Sequence, residues 1–189
     1  MNGLQKAEEK IALCKAGKIP YLNISDLELV TLPASIGELT WLGALSVSRN
    51  KLTNIDALAP LTNLHKLAFS NNDIEDIEVL KSLPKIRHVF MKHNKVRDIS
   101  VLKDLIKLKK IEANHNSITD VESIIKLTDL VFLDLAHNAI EDLRPIADIK
   151  SLVWLCLENN VSNVKDDALH QTLKDSLKKS LKKLAHFSY

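Results

Sequence analysis

Apolar positions along this chain obey neither a strand period nor a helix period for long; they obey a longer frame that recurs without drift. Aligned on Leu42, Leu64, Ile86, Leu108, Leu130 and Leu152, the step is constant, and the frame reads L-x-x-L-x-L-x-x-N-x-L-x-x-L-x-x-L-x-x-L. Five complete copies offer 35 apolar slots, all filled by Leu, Ile, Val, Phe, Met or Ala. A chain of 46 % hydrophobic residues would do this by chance about once in 10¹² trials. The ninth position is Asn50, Asn72, Asn94, Asn116, Asn138 and Asn160, without exception. An earlier copy starts at Ile19, passes through Leu22, Ile24, Leu29, Leu32, Ile36 and Leu39, and is longer by a single residue. It has Leu27 where the others have Asn. End repeats are commonly atypical in this way. The chain therefore reads as seven repeats, the last incomplete.

Each repeat carries two periods. The L-x-L part sends one side chain in and the next out, as a strand does. The later L-x-x-L-x-x-L part has a period near three, which suits a 3₁₀ or short helical return. One such coil cannot enclose its own apolar side, but stacked coils share a continuous core. Where the chain turns out of the strand, backbone groups are buried without sheet partners. An Asn amide both donates and accepts, so the column is expected to be a structural ladder serving adjacent coils.

Both ends of such a stack expose apolar core unless covered. Residues 2–16 are expected to form a helix with Leu4, Ala7, Ile11 and Cys14 on one side, ended by Gly17, so that 1–18 is a capping segment and 19–164 the repeats. In 165–189, Leu169, Leu173, Leu177, Leu181 and Leu184 follow helical spacing among Lys174, Lys178, Lys179, Lys182 and Lys183. Asp166 and Asp167 near its start and lysines near its end agree with the helix dipole. A basic amphipathic helix over about 166–186 would reach ~30 Å. It is expected to cap the last coil, or to cap it and also touch a partner, a second copy or an anionic surface.

Composition narrows the picture. With 189 residues, 26 % charged and net charge +2, neither disorder nor a charge-driven partner is indicated. No apolar run approaches the ~18 residues of a membrane span. The amino-terminal segment, with Lys6, Glu8, Glu9, Lys10, Lys15 and Lys18, holds no signal-peptide core. Cys14 and Cys156 form no disulfide framework and no metal spacing. A cytoplasmic protein, a monomer or a weak dimer through its C-terminal helix, is the expectation.

The frame and its N-x-I-x-D-I-x-x-L core (Asn72, Ile74, Asp76, Ile77, Leu80; Asn94, Val96, Asp98, Ile99, Leu102) resemble the leucine-rich repeat family over about residues 19–164. The 22-residue form is similar to repeats of phosphatase-1 regulatory subunits and internalins. The segment EEKIALCKAGKIPYLNISDLELVTLPASIGEL is similar to the amino-terminal repeats of bacterial cytosolic and Roco-type proteins. The resemblance implies an α/β fold, a right-handed solenoid or horseshoe with a parallel sheet on the concave face and short helices on the convex one. It implies protein–protein interaction as a class of function.

On that frame the x positions of the strands line the concave face, ~4.8 Å apart from strand to strand. The third-position column is Tyr21, Ala44, Lys66, His88, Lys110, Phe132 and Trp154; the fifth is Asn23, Ser46, Ala68, Phe90, Glu112, Asp134 and Cys156; the seventh is Ser25, Ser48, Ser70, Lys92, Asn114, Ala136 and Glu158. The early strands are small and neutral, the middle ones basic, the last acidic and aromatic. Aromatic residues bury large area at interface cores with little entropy loss. Tyr21, Lys66, His88, Phe90, Lys92, Lys110, Glu112, Phe132, Asp134 and Trp154 are therefore the candidate partner-binding residues, with Phe90, Phe132 and Trp154 as anchors and Lys66, Lys92 and Lys110 setting charge. Mutual packing that merely covers the sheet is the competing reading of the aromatics.

Two further columns stand out. His93, His115 and His137 precede ladder asparagines and should be adjacent imidazoles, either a solvated and hydrogen-bonded surface or a pH-sensitive contact. A straight row does not converge as tetrahedral metal coordination requires, so no metal site is expected. Asp76, Asp98, Asp120 and Asp142, with Asn54, recur at the start of the return segment, either as caps or as a cation ladder. Catalytic motifs are absent and only four glycines exist, so no enzyme, cofactor or small-molecule substrate is expected. The leading expectation is a non-catalytic module binding another protein on its concave face. Nucleic-acid or anionic-surface binding through the basic middle strands and C-terminal helix is the alternative.

Overall fold

The computed structural model of the chain describes residues 1–160, Asp175 and 185–188. Helix α1 (Gly3–Gly17) is opened by a capping box, in which Asn2 and Gln5 exchange side-chain and backbone hydrogen bonds. It is closed at Lys18, which adopts the left-handed conformation (φ 46°) and donates its N–H to Cys14 and Lys15 carbonyls. Closure therefore falls on Lys18, one residue past Gly17, because that backbone turn satisfies the last carbonyls whichever side chain is present. Ala7, Ile11 and Cys14 are buried, whereas Leu4 stays 49 % exposed. Lys10 donates to the Asn23 carbonyl, Ser35 to Glu8, and Lys15 pairs with Glu38, so α1 lies along the first coil. Gly3 sits so close to Leu27 that a β-carbon would fall 1.7 Å from its carbonyl oxygen.

Eight short parallel strands follow: β1 (Tyr21–Asn23), β2 (Ala44–Ser46), β3 (Lys66–Ala68), β4 (His88–Phe90), β5 (Lys110–Glu112), β6 (Phe132–Asp134), β7 (Trp154–Cys156) and β8 (His186–Ser188). They form one open sheet in chain order. From β2 to β7 each residue pairs with the one a full repeat later, as in Leu45 with Leu67 and Leu67 with Val89. Between strands the chain returns through 3₁₀ segments at Ala34–Glu38, Asp56–Leu58, Glu78–Ser82, Ser100–Asp104, Glu122–Lys126 and Arg144–Asp148. A constant coil length is what lets the sheet stay in register. All 35 apolar slots of the five complete repeats are buried, none more than 4 % exposed, and together they form a single core.

The ladder amides hold adjacent coils together. Asn116 accepts from the Val96 N–H (3.0 Å) and donates to the carbonyls of Met91 and Ala113 (3.0 Å each), thereby joining its own coil to the one before. Asn72, Asn94, Asn138 and Asn160 make the same three-way connection. Asn50 takes two backbone donors, Leu27 and Leu29, because the first coil has Leu27 at its own ninth position. The aspartates act on the other side of the coil. Asp76, Asp98, Asp120 and Asp142 each accept the N–H two residues on, and Asn54 does the same for Asp56. These are Asx turns that lead into the 3₁₀ segments, one residue ahead of the helix cap position.

Most of the helix expected over 165–189 lies outside the described residues. Asp175 is helical, but His186–Ser188 is not: it adds β8 to the edge of β7, pairing Trp154 with His186 and Cys156 with Ser188. The unpaired N–H and C=O groups of an edge strand are a ready template for such an addition. Ser188 donates to the Cys156 sulfur (2.9 Å), and Cys156 and Cys14 are both buried free thiols whose pKa burial pushes up.

Candidate functional site

The sheet face presents the third- and fifth-position side chains of successive strands, because their neighbours in each strand point into the core. The paired strands bring the expected residues into rows. Lys66, His88, Lys110, Phe132 and Trp154 stand side by side along β3 to β7, and Phe90, Glu112 and Asp134 form the next row. Tyr21 stands apart on β1, half exposed at 50 %, with Ala44 between it and Lys66.

Cations and rings interleave across this face. The Lys110 ammonium lies 3.8 Å from the Phe132 ring centroid and 5.4 Å from that of Phe90, while Lys66 lies 5.3 Å from Phe90 on its other side. Such contacts contribute ~0.5–2 kcal/mol each. Lys110 also pairs with Glu112 at 2.8 Å. Phe132 stacks on Trp154 at 4.0 Å and 3°, and Trp154 on His186 at 4.8 Å and 9°. A rigid row, Lys110–Phe132–Trp154–His186, thus crosses four strands, and its last member comes from the unforeseen β8. Asp134 is tied by Asn114 and by the Ala136 N–H. His88 is held below its ordinary pKa, first by partial burial and then by the positive charges of Lys66 and Lys110, with His65 and Arg87 adding to them.

Along one rim of the face runs the imidazole column. His93 and His115 have centroids 4.2 Å apart, His115 and His137 4.1 Å, and Asn159 lies within hydrogen-bond distance (3.3 Å) of the His137 Nε2. A backbone rule underlies it. The residue before every ladder asparagine (Arg49, Asn71, His93, His115, His137 and Asn159) adopts a positive φ of 53–56°. Asn and His tolerate that region better than most side chains, so the column is first a conformational requirement. Sequence reading saw the histidines and missed the conformation; the signal was that only Asn and His fill the eighth frame position from Asn71 to Asn159. Arg49 instead forks onto Asp26, its counterpart in the first coil and also left-handed (φ 59°), through two hydrogen bonds of 2.6 and 2.7 Å.

Partial burial, and then the neighbouring His93 and His137, lower the His115 pKa. The folded chain binds this proton less readily than the unfolded chain, so stability rises with pH. The contribution is complete above the unfolded value of about 6.5 and is lost as pH falls below it. We expect the melting temperature to fall between pH 7.5 and 5.5, and to fall less in His115→Asn, which keeps a side chain suited to positive φ. An equal fall in both proteins would rule this out.

Among the described residues no group of three or more His, Cys, Asp or Glu side chains converges to hold a metal, and no helix is long and apolar enough to cross a membrane. The "Leucine Rich repeats (2 copies)" family model matches residues 62–104 and 106–151. No curated protein sequence matches the chain significantly. Among solved structures, an internalin (inlF) from Listeria monocytogenes is 24 % identical, with TM-score 0.67 over 89 % of this chain and 53 % of its own. An LRR protein of Leptospira interrogans is 23 % identical, with TM-score 0.76 over 87 % of this chain and 42 % of its own. The LRR ectodomain of the Arabidopsis thaliana membrane receptor kinase GASSHO1/SCHENGEN3, in complex with CASPARIAN STRIP INTEGRITY FACTOR 2, is 22 % identical, with TM-score 0.61 over 68 % of this chain and 17 % of its own. The chain thus spans about half of the internalin and less of the other two. The repeat frame, the stacked parallel coils and the family match agree: residues 62–104 and 106–151 match leucine-rich repeats, and the chain has the fold of leucine-rich repeat proteins, internalins among them.

Proposed function

We propose that this chain is a non-catalytic module that holds another protein against its sheet face. Leucine-rich repeat proteins generally mediate protein–protein interaction. The observation that carries the reading here is the Lys110–Phe132–Trp154–His186 row. Its rings are already stacked on one another and on a cation, so a partner that covers them meets apolar area with its rotamers fixed in advance. Phe90, Phe132 and Trp154 act as anchors, and Lys66, Lys92 and Lys110 set charge complementarity. The plant ectodomain that shares the fold is itself in complex with CASPARIAN STRIP INTEGRITY FACTOR 2, which supports the class of function. Residues 1–18 serve as the cap of the first coil. Two buried free thiols, Cys14 and Cys156, support a reducing, cytoplasmic setting.

Affinity capture from the native cell tests the proposal, with wild type compared against the Phe132→Ala/Trp154→Ala double variant and against Lys81→Ala/Lys103→Ala on the 3₁₀ side. A partner retained by wild type and by the lysine variant, and lost by the aromatic variant, is the expected result. A partner held equally by all three contradicts it.

A further inference from the structure

At the amino-terminal half of the sheet face the side chains shrink to Ala44, Ser46, Ser48, Ala68 and Ser70, and a hollow of about 310 Å³ opens above β2 and β3. Small side chains alone would make only a dent; two independent observations make it a built site. The Ser48 and Ser70 side chains line it and are 7 % and 6 % exposed, yet among the described residues neither hydroxyl has a hydrogen-bond partner. A buried hydroxyl without a partner is uncommon, because losing water without replacement costs free energy. By contrast, Ser46, on the same floor, bonds the Ser25 hydroxyl at 2.8 Å. Second, Lys66 and Lys92 stand on the rim with no carboxylate within ion-pair reach among the described residues. Glu112 also lines the hollow, and its carboxylate is paired with Lys110 at 2.8 Å.

We infer that this hollow receives the carboxylate of an Asp or Glu side chain belonging to an extended segment of the bound protein. The Ser48 and Ser70 hydroxyls donate to it and the Lys66 and Lys92 ammoniums neutralise it. A carboxylate suits the donor set better than a phosphate dianion. The one guanidinium at the rim, Arg49, is already forked onto Asp26, and forked guanidinium contacts are what phosphate recognition most often uses. The inference rests on the sheet-face reading and adds a register to it. Lys66 on β3 and Phe132 on β6 are three strands apart, roughly 14 Å at ~4.8 Å per strand, which an extended chain covers in about four residues. The preferred partner segment therefore carries an acidic residue about four positions from an aromatic or large aliphatic one.

The test is selection from a phage-displayed library of random peptides of roughly 12 residues, long enough when extended to cross the sheet. The full chain is used as bait, alongside the Ser48→Ala/Ser70→Ala, Lys66→Ala/Lys92→Ala and Phe132→Ala/Trp154→Ala variants. The best peptide is then synthesised with Glu, Gln or phosphoserine at the acidic position. Wild type is expected to enrich Asp or Glu about four residues from an apolar residue. The serine and lysine variants each weaken the Glu peptide about tenfold and barely alter the Gln peptide. Among the described residues, replacing the serines removes no side-chain hydrogen bond, so that variant keeps its melting temperature. Enriched peptides without acidic bias, lost in the aromatic variant, overturn this inference and leave the sheet-face reading standing. No enrichment, or binding indifferent to the aromatic variant, overturns both. Phosphoserine binding more than tenfold tighter than Glu overturns the assignment to a carboxylate.

Discussion

Asn116→Ala is expected to lower the stability of the chain by about 3 kcal/mol, because the backbone groups left behind cannot all find water. Its amide serves the Val96 N–H and the carbonyls of Met91 and Ala113, the latter two from successive coils. Deletion leaves one donor and two acceptors beside a continuous apolar core. For a chain of this size the melting midpoint falls by roughly 6–12 °C. Asn116→Asp separates hydrogen bonding from packing: it keeps the shape and the acceptor but faces two carbonyls with an oxygen, so it should be no more stable than alanine. Asn50→Ala should cost at least as much, since that side chain alone receives both Leu27 and Leu29. Lys103→Ala, on the exposed 3₁₀ side, stays within about 0.5 kcal/mol. Thermal and urea unfolding followed by circular dichroism read all four variants. An Asn116→Ala protein as stable as Lys103→Ala would show that the coils are held by burial alone.

The second large effect concerns binding. Phe132→Ala/Trp154→Ala should weaken the captured partner by at least ~2 kcal/mol, about 30-fold in Kd, while leaving the melting temperature within a few degrees of wild type. The two rings face out of the sheet, and the leucine that follows each in its strand, Leu133 and Leu155, supplies the core on the other side. Removing the rings also strips Lys110 and His186 of the surfaces they lie against, so their order is lost together with the anchors. Truncation therefore removes both apolar area and preorganisation. Trp154→Phe keeps a ring on which Phe132 can stack and should recover much of the affinity. Isothermal titration with the purified partner measures the series. Unchanged affinity in the double variant would place the interface elsewhere.

The repeat frame made the architecture legible because one constant step is both the spacing of the leucines and the register of the sheet. Knowing that Leu67 follows Leu45 is enough to set Lys66 beside Ala44 and His88 beside Lys66. Side-chain neighbours within a row followed from the same arithmetic. Other features depended on dihedral angles or depth. The positive φ before each ladder asparagine is a backbone property, visible in sequence only as a preference for Asn and His at one position. The hollow over β2 and β3 was written in five small residues, but its two unpartnered hydroxyls emerge only once burial is known. Strand β8 was hidden because the leucines up to Leu184 follow helical spacing and nothing in Ala185–Ser188 announces the change. Pairing with the free edge of β7 decided it.

The central claim is that the outward wall of the sheet, and not the 3₁₀ side, grips another protein. Site-specific photocrosslinking tests it most directly, with benzoylphenylalanine placed at Ala68 or Phe90 on the sheet face and at Lys103 or Lys126 on the opposite side, each in the native cell. One and the same protein crosslinked from both sheet positions, and from neither opposite position, is the result the account predicts. Crosslinks confined to Lys103 and Lys126, or the same protein captured equally from all four positions, would contradict it.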